Sequence, residues 1–342
     1  MGISSSKEDS FNKTGSSEQS PLISVGICTR DRADLLRSAL HSISLQEYRN
    51  FEVVIADNCP SNDDAKKVAE QFNARYVLEP HLGHSWARNK LIAEASGEIL
   101  AFMDDDMTVP PNWLSSVASG FKEPEVMSVT GLVLPAQLET PAQVIFEEAY
   151  GGYSNGSTPL RFGPGLPWKN GLYGLCHDIG PMMAFRRSIF EKVGPFDVAL
   201  GVPVGGAEDI DMLHRVARTD CIMLYVPDAI RFHCHRRDLE GLRRQISGYG
   251  KAYTALLLKC FLLEPDLRRR ILRRAVGYGF NAIAKPLALS LIGRGSRPAK
   301  LVIAEGIGAL SGPWAYLRSV KKTRALDQSY DPGRLITDIA RR

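Results

Sequence analysis

EILAFMDDD, residues 98–106, sets an apolar run directly against three consecutive aspartates. A short run with no polar alternation predicts a strand buried on both faces. The chain upstream repeats this form. Residues 22–28 (LISVGIC) and 51–56 (FEVVIA) read as two more buried strands, and residues 75–78 as a shorter one. Helical segments lie between them. Residues 32–46 place Leu35, Leu36, Ala39, Leu40 and Ile43 at helical spacing, residues 63–72 read as a second helix, and residues 85–95 form a third that stops before Gly97. Strands alternating with helices predict an α/β fold, a Rossmann-like and mostly parallel sheet with helices on both faces. Ligands in such sheets sit at the carboxyl ends of the strands.

All three buried strands end in polar groups. The first runs into Thr29, Arg30, Asp31 and Arg32, the second into Asp57 and Asn58, and the third into Asp104, Asp105 and Asp106. One aspartate after a strand is usually a turn residue; three polar clusters at converging strand ends point to a site. Adjacent carboxylates repel one another unless a cation compensates. Mg2+ or Mn2+ fits, because both favour carboxylate oxygens and commonly share a phosphate ligand. No Walker A sequence and no G-x-G-x-x-G follow the first strand, which excludes a P-loop ATPase and a dinucleotide dehydrogenase. Phosphate contacts then fall to the metal and to basic side chains such as Arg88.

The second half of the chain adds further candidates. A strand is expected over 178–185 and a short helix over 187–193, followed by the glycine-rich stretch 201–206. Glu208 and Asp209 then open a helix, where the dipole favours ionised carboxylates. In RFHCH, residues 231–235, His233 and His235 share one face of a strand and suit a metal or a phosphate. Arg236, Arg237, Arg243 and Arg244 follow, a dense set of donors for a diphosphate.

Together these segments resemble the family-2 glycosyltransferases of GT-A fold. The resemblance rests on residues 25–32 (VGICTRDR), 84–89 (HSWARN), 102–106 (FMDDD, a D-x-D-like motif), 194–197 (GPFD) and 206–211 (GAEDID). Their order and rough spacing match over residues 22–250. The resemblance implies an inverting transferase that moves one sugar from a nucleotide-sugar donor to an acceptor hydroxyl on a glycan, a lipid-linked sugar or a small molecule. Asp209 would be the catalytic base, with Glu208 beside it. Thr29, Arg30 and Asp57 would line the base and ribose. Arg32, Arg88, Asp104, Asp105, His235, Arg236 and Arg237 complete the expected nucleotide-sugar set, and Asp104, Asp106 and His233 the metal set. The family's Q-x-x-R-W segment is absent, with Arg244-Gln245 in a comparable place, so addition of a single sugar is expected rather than polymerisation. A sugar-phosphate nucleotidyltransferase and a non-catalytic nucleotide-sugar-binding protein are the alternatives. The first should carry a glycine in the loop after strand one, and residues 29–32 have none; the second has no need of Glu208 and Asp209.

The net charge of +4 divides unevenly. From Arg236 onward there are 22 Lys/Arg against 8 Asp/Glu, and before it 20 against 30. A basic last third favours an anionic partner. With no nucleic-acid-binding motif beside the charge, an anionic membrane surface is expected rather than nucleic acid. Residues 275–293 have the length of a membrane span, but Lys285 and Pro286 interrupt them. The six cysteines are scattered and form no C-x-x-C pair, which fits a cytoplasmic protein, with the inner membrane face as the docking surface. Residues 1–20 are polar, Ser-rich and without a secretory signal, and are expected to be disordered. The expected division is this tail, a GT-A domain over 21–250, and a basic helical extension over 251–342.

Overall fold

The computed structural model describes residues 20–152, 156–164, 183–202 and 204–327. The expected tail thus lies, apart from Ser20, outside the described residues, as do residues 178–182 of one expected strand. The first strands and helices form as β1 (Ile23–Thr29), α1 (Ala33–Ser44), β2 (Phe51–Asn58), α2 (Asp64–Gln71), β3 (Arg75–Glu79), α3 (His84–Glu94) and β4 (Ile99–Asp104). β1 lies parallel between β2 and β4, and β3 joins the outer side of β2. Thr29 stands opposite Asp57, and Cys28 opposite Asp104, so the polar strand ends meet at one edge.

The sheet continues as β5 (Met107–Thr108), β6 (Val126–Pro135), β7 (Leu160–Phe162), β8 (Met183–Arg186) and β9 (Ile222–His233), in the order β3-β2-β1-β4-β8-β6-β9-β5 with β7 on β9. This half is mixed. β8 runs antiparallel to both β4 and β6, a pairing that needs no crossover helix. β6 and β9 are parallel again. Helices α4 (Trp113–Gly120), α5 (Pro141–Tyr150), α6 (Ile189–Val193) and α7 (Glu208–Ala217) complete the layers. Ile23, Val25 and Ile27 pack on one face with Leu36, Ile43 and Trp113. Val54, Leu100 and Phe102 pack on the other with Leu91, Phe196 and Met212. Burial on both faces is what made these strands read as unbroken apolar runs.

The C-terminal third is helical: α8 (Leu239–Leu263), α9 (Arg268–Tyr278), a π-helical turn (Gly279–Ala284), α10 (Lys285–Leu291) and α11 (Ala299–Leu326). The boundary expected at residue 250 falls inside α8. The span-length segment 275–293 is broken at the π turn just before Pro286, a residue that cannot donate to the helix ladder. No described helix is long and apolar enough to cross a membrane. α8 and α11 approach so closely at Gly250, Gly308 and Gly312 that a methyl group on any of them would overlap the facing helix. Their other side covers Ala199, Leu200, Val204 and Ala207, the segment leading into α7.

Candidate active site

Three loops carry the polar strand ends, and each is fixed by a side chain. Asp31, left-handed at φ 54°, accepts hydrogen bonds from the Ser61 amide and hydroxyl, both at 2.8 Å, which ties the loop after β1 to the loop after β2. Asn58 accepts from the Gly83 amide at 2.8 Å and donates to the His81 carbonyl at 2.7 Å. Gly83 sits at φ 145°, open to glycine alone without strain, and α3 starts there. One turn apart on α3, His84 and Arg88 then face the cleft. The next residue, Asn89, bonds both the carbonyl and the amide of Phe196, at 2.9 and 2.7 Å, and so docks the G-P-F-D segment.

His84 and Arg88 join the two acidic segments. Arg88 Nη1 and His84 Nδ1 each lie 3.0 Å from Glu208 Oε1. Arg88 Nη2 and His84 Nε2 lie 3.6 and 3.7 Å from Asp104 Oδ1. Arg88 is buried, and its guanidinium rests over the Phe196 ring at 5.4 Å. Burial opposes the charge on Asp104, but Arg88 and His84 outweigh it and hold that carboxyl below its ordinary range. Burial also opposes the charge on Glu208; Arg88 and His84 override it and bring that group down to about 2. Asp209, next along, moves the other way, raised by burial and by the Glu208 charge. Among the described residues the Asp209 carboxylate has one hydrogen bond, from the Ile210 amide at 2.8 Å. Two neighbouring carboxylates thus stand in different surroundings: Glu208 is tied to Arg88 and His84, and Asp209 is held by the Ile210 amide.

Asp105 turns away from the cleft centre. It accepts from Thr29 Oγ1 at 2.9 Å and pairs with Arg32 at 3.1 Å. Burial raises its pKa to about 6 despite Arg32. Asp106 lies 3.4 Å from Arg32 and 3.7 Å from Arg236. Arginines therefore already offset much of the repulsion among the three aspartates. β5 pairs Met107 with His233, and the Cys234 amide donates to the Asp106 carbonyl at 2.9 Å, which brings His233 to the cluster.

The histidines form a relay. His235 Nε2 lies 2.6 Å from Glu147 Oε1, and His235 Nδ1 lies 2.7 Å from His233 Nδ1. Glu147 can only accept, so a neutral His235 donates to it and accepts from His233. That tautomer points the His233 Nε2 lone pair at Asp106 Oδ1, 3.5 Å away. Burial lowers the His233 pKa to about 3, so the ring is neutral and the contact is no ion pair. Two acceptors facing each other across that gap are a fitting pair of ligands for a divalent cation, with Glu147 and His235 fixing the ring behind them. Asp104 is drawn instead towards Arg88. Among the described residues the one tight set of ligand atoms, all within 4.8 Å, is His214, Cys260 and Glu264. There His214 and Arg218 stand 2.8 and 3.3 Å from the two oxygens of Glu264, which ties these groups to one another.

The other expected residues are placed as follows. Asp57 is buried, accepts from the Tyr76 hydroxyl at 3.0 Å, and keeps Oδ1 without a hydrogen-bond partner. Arg30 is half exposed beside Asp31. Arg237 is exposed and paired with Glu139 at 2.8 Å, rather than turned to the aspartates. Three residues at or behind the cleft had not been singled out as site candidates: Glu147, and His84 and Arg231 inside the quoted segments 84–89 and 231–235. Arg231 is buried over the Trp113 ring at 4.7 Å, with Nε and Nη2 lacking hydrogen-bond partners. Burial lowers its pKa to about 9 against the pull of Asp104. Its position two residues before His233 was the available cue.

Comparison with known proteins agrees with the fold. A relative from Haloferax volcanii, a glucosyl-dolichyl phosphate glucuronosyltransferase, is 24% identical over 52% of this chain, which spans only 57% of that protein's length. Glycosyltransferase AglE of the same organism is 25% identical, over 78% of this chain and 83% of its own. Among solved structures, a mannosyltransferase from Pyrobaculum calidifontis in complex with GDP-Man and Mn2+ shares the fold at a TM-score of 0.51 and 18% identity, covering 94% of this chain and 80% of its own. The family model described as glycosyl transferase family 2 matches residues 24–194. With sheet, cleft and relatives in agreement, this chain belongs to glycosyl transferase family 2 and is a glycosyltransferase.

Proposed function

We propose that the enzyme transfers one sugar, with inversion, from a nucleoside-diphosphate sugar to a hydroxyl of a lipid-linked acceptor. The observation that carries this reading is geometric: Arg88 and His84 each lie 3.0 Å from Glu208, while among the described residues the neighbouring Asp209 carboxylate accepts from the Ile210 amide. Asp209 takes the proton of the acceptor hydroxyl as its oxygen bonds to the anomeric carbon. The bond from that carbon to the diphosphate breaks on the opposite face, and its electron pair leaves with the diphosphate. Arg88, Arg231 and Arg236 border the aspartate cluster and would offset the charge that grows on the diphosphate. Asp104, Asp106 and His233 would hold Mn2+ or Mg2+, which supplies further positive charge to the diphosphate. A nucleotide N–H or O–H would satisfy Asp57 Oδ1, whose isolation otherwise costs about 1–3 kcal/mol.

The lipid-linked acceptor is supported by the C-terminal helices and by the acceptor in the glucuronosyltransferase's name. On α11, Ile303, Ile307, Leu310, Trp314 and Leu317 recur every three or four residues and are all exposed, with Leu310 at 85%. Exposed Arg318, Lys321 and Lys322 continue that helix. An apolar stripe flanked by basic residues is the form of a helix lying on an anionic bilayer. This reading places the enzyme at the cytoplasmic membrane face.

Asp209→Asn tests the assignment. Transfer should fall by about 10²–10⁴-fold while the variant still binds the donor nucleotide, read by calorimetry or thermal shift with Mn2+. Full transfer by that variant would remove Asp209 from the chemistry.

A further inference from the structure

We propose that Lys259, in the helical extension, is a positioning residue for glycosyl transfer, fixing the rotation of α7 about its axis and so the aim of Asp209. The inference rests on Asp209 being the base. Lys259 Nζ lies 2.7 Å from Asp197 Oδ2 and 2.5 Å from Asp211 Oδ1, and all three side chains are at most 1% exposed. Arg215 closes the set. Its Nε is 2.9 Å from Asp211 Oδ2, and its remaining nitrogens donate to the carbonyls of Val193 and Pro195. Two cations and two carboxylates balance, with no water to dilute the attraction. The four residues join the G-P-F-D segment, α7 and α8.

The geometry of a helix makes this contact matter. Successive residues turn by about 100°, so Asp209 and Asp211, two apart, point to nearly opposite sides. Asp211 is pinned into the seam with α8 while Asp209 faces the cleft. At the start of α7, Arg88 and His84 hold Glu208 from the cleft side, and Lys259 and Arg215 hold Asp211 from the seam side. Gly205 and Gly206 approach at φ 85° and 148°, and Ala207 at φ 68° makes no side-chain cap. With a carboxylate about 5–6 Å from the helix axis, a rotation of about 20° would carry Asp209 by about 2 Å. Misplacement of about 1 Å can cost about 10²-fold in rate. Lys259 itself touches no reacting atom.

The test uses Lys259→Met, Lys259→Arg and the charge-balanced pair Asp197→Asn/Lys259→Met in the full chain, assayed well below each variant's Tm. The expected result is a fall in kcat for sugar transfer of about 10–100-fold, with donor KM within about twofold of wild type. The ratio of transfer to donor hydrolysis should also fall, because a misaimed base serves the acceptor worse than it serves water. Lys259→Met leaves two buried carboxylates short of a cation, so where it fails to fold the balanced pair gives the reading. A folded pair with wild-type kcat and ratio overturns the proposal, and so does loss of fold in all three variants, which would assign Lys259 to stability alone. Active Asp209→Asn would refute the base assignment; inactive Asp209→Asn beside fully active Lys259 variants would refute only the positioning role.

Discussion

Two groups of charges lie on opposite sides of α7, and they are built differently. In the seam below, Asp197 and Asp211 meet Lys259 and Arg215, sealed from solvent and equal in number. In the cleft above, Asp104, Asp105, Asp106, Glu208 and Asp209 meet Arg32, Arg88, Arg231 and Arg236, and the side chains of Asp104 and Arg32 remain 30% and 40% exposed. Left-handed Asp31, Cys59 and Ala207 border the cleft, each holding about 1–3 kcal/mol of strain. The seam satisfies its charges; the cleft leaves carboxylates displaced in opposite directions. A balanced, buried group holds elements in place, whereas an unbalanced group in a cleft has the form of a site that binds a ligand.

The sharpest way to break this contrast is Asp211→Ala. It leaves Lys259 and Arg215 buried with one carboxylate between them, and should cost about 3–5 kcal/mol in denaturant unfolding. Asp104→Ala should cut transfer while moving the unfolding midpoint far less. Equal midpoints for the two variants would erase the distinction.

A smaller effect concerns pH. The Asp209 pKa is raised by burial and by the Glu208 charge, and Asp209 in the proposed role of base works only when ionised. Transfer should therefore be complete above that raised pKa and fall as pH drops through it, at a pH above the ordinary aspartate value. Glu208→Gln removes one cause, so the acid limb of kcat/KM should move to lower pH. An unmoved limb in an active variant would show that another group titrates. The smallest effect on the fold belongs to the exposed stripe. Trp314→Ser should change stability by less than about 0.5 kcal/mol yet weaken sedimentation with anionic liposomes. Wild-type binding that is absent at low salt, or indifferent to salt, would reject the lipid surface.

The parallel half of the fold was legible because β1, β2 and β4 are buried on both faces and leave unbroken apolar runs. The site was legible where it lies at their ends. The antiparallel entry of β8 was not, since a short apolar strand carries no mark of direction. The different surroundings of Glu208 and Asp209 were hidden, because they depend on Arg88 and His84, more than a hundred residues away in sequence. Arg32, expected at the donor, is engaged with Asp105 and Asp106, and no local pattern announces such a clamp. Lys259 left a trace: it interrupts ALLLKCFLL, residues 255–263, and a lone lysine in such a run needs a buried counter-ion. Its partners come from folding alone.

One consequence of α8 reaches beyond catalysis. The helix gives Lys259 to the seam and Gly250 to the contact with α11, so it is a wall shared by two compartments. Cutting the chain at residue 250 would remove the lysine and expose the core side of Ala199, Leu200 and Val204 together. The helical third is therefore no detachable module. It can be exchanged between relatives only along with the α7 it supports, and a graft that ignores this should give an insoluble protein rather than an untethered enzyme.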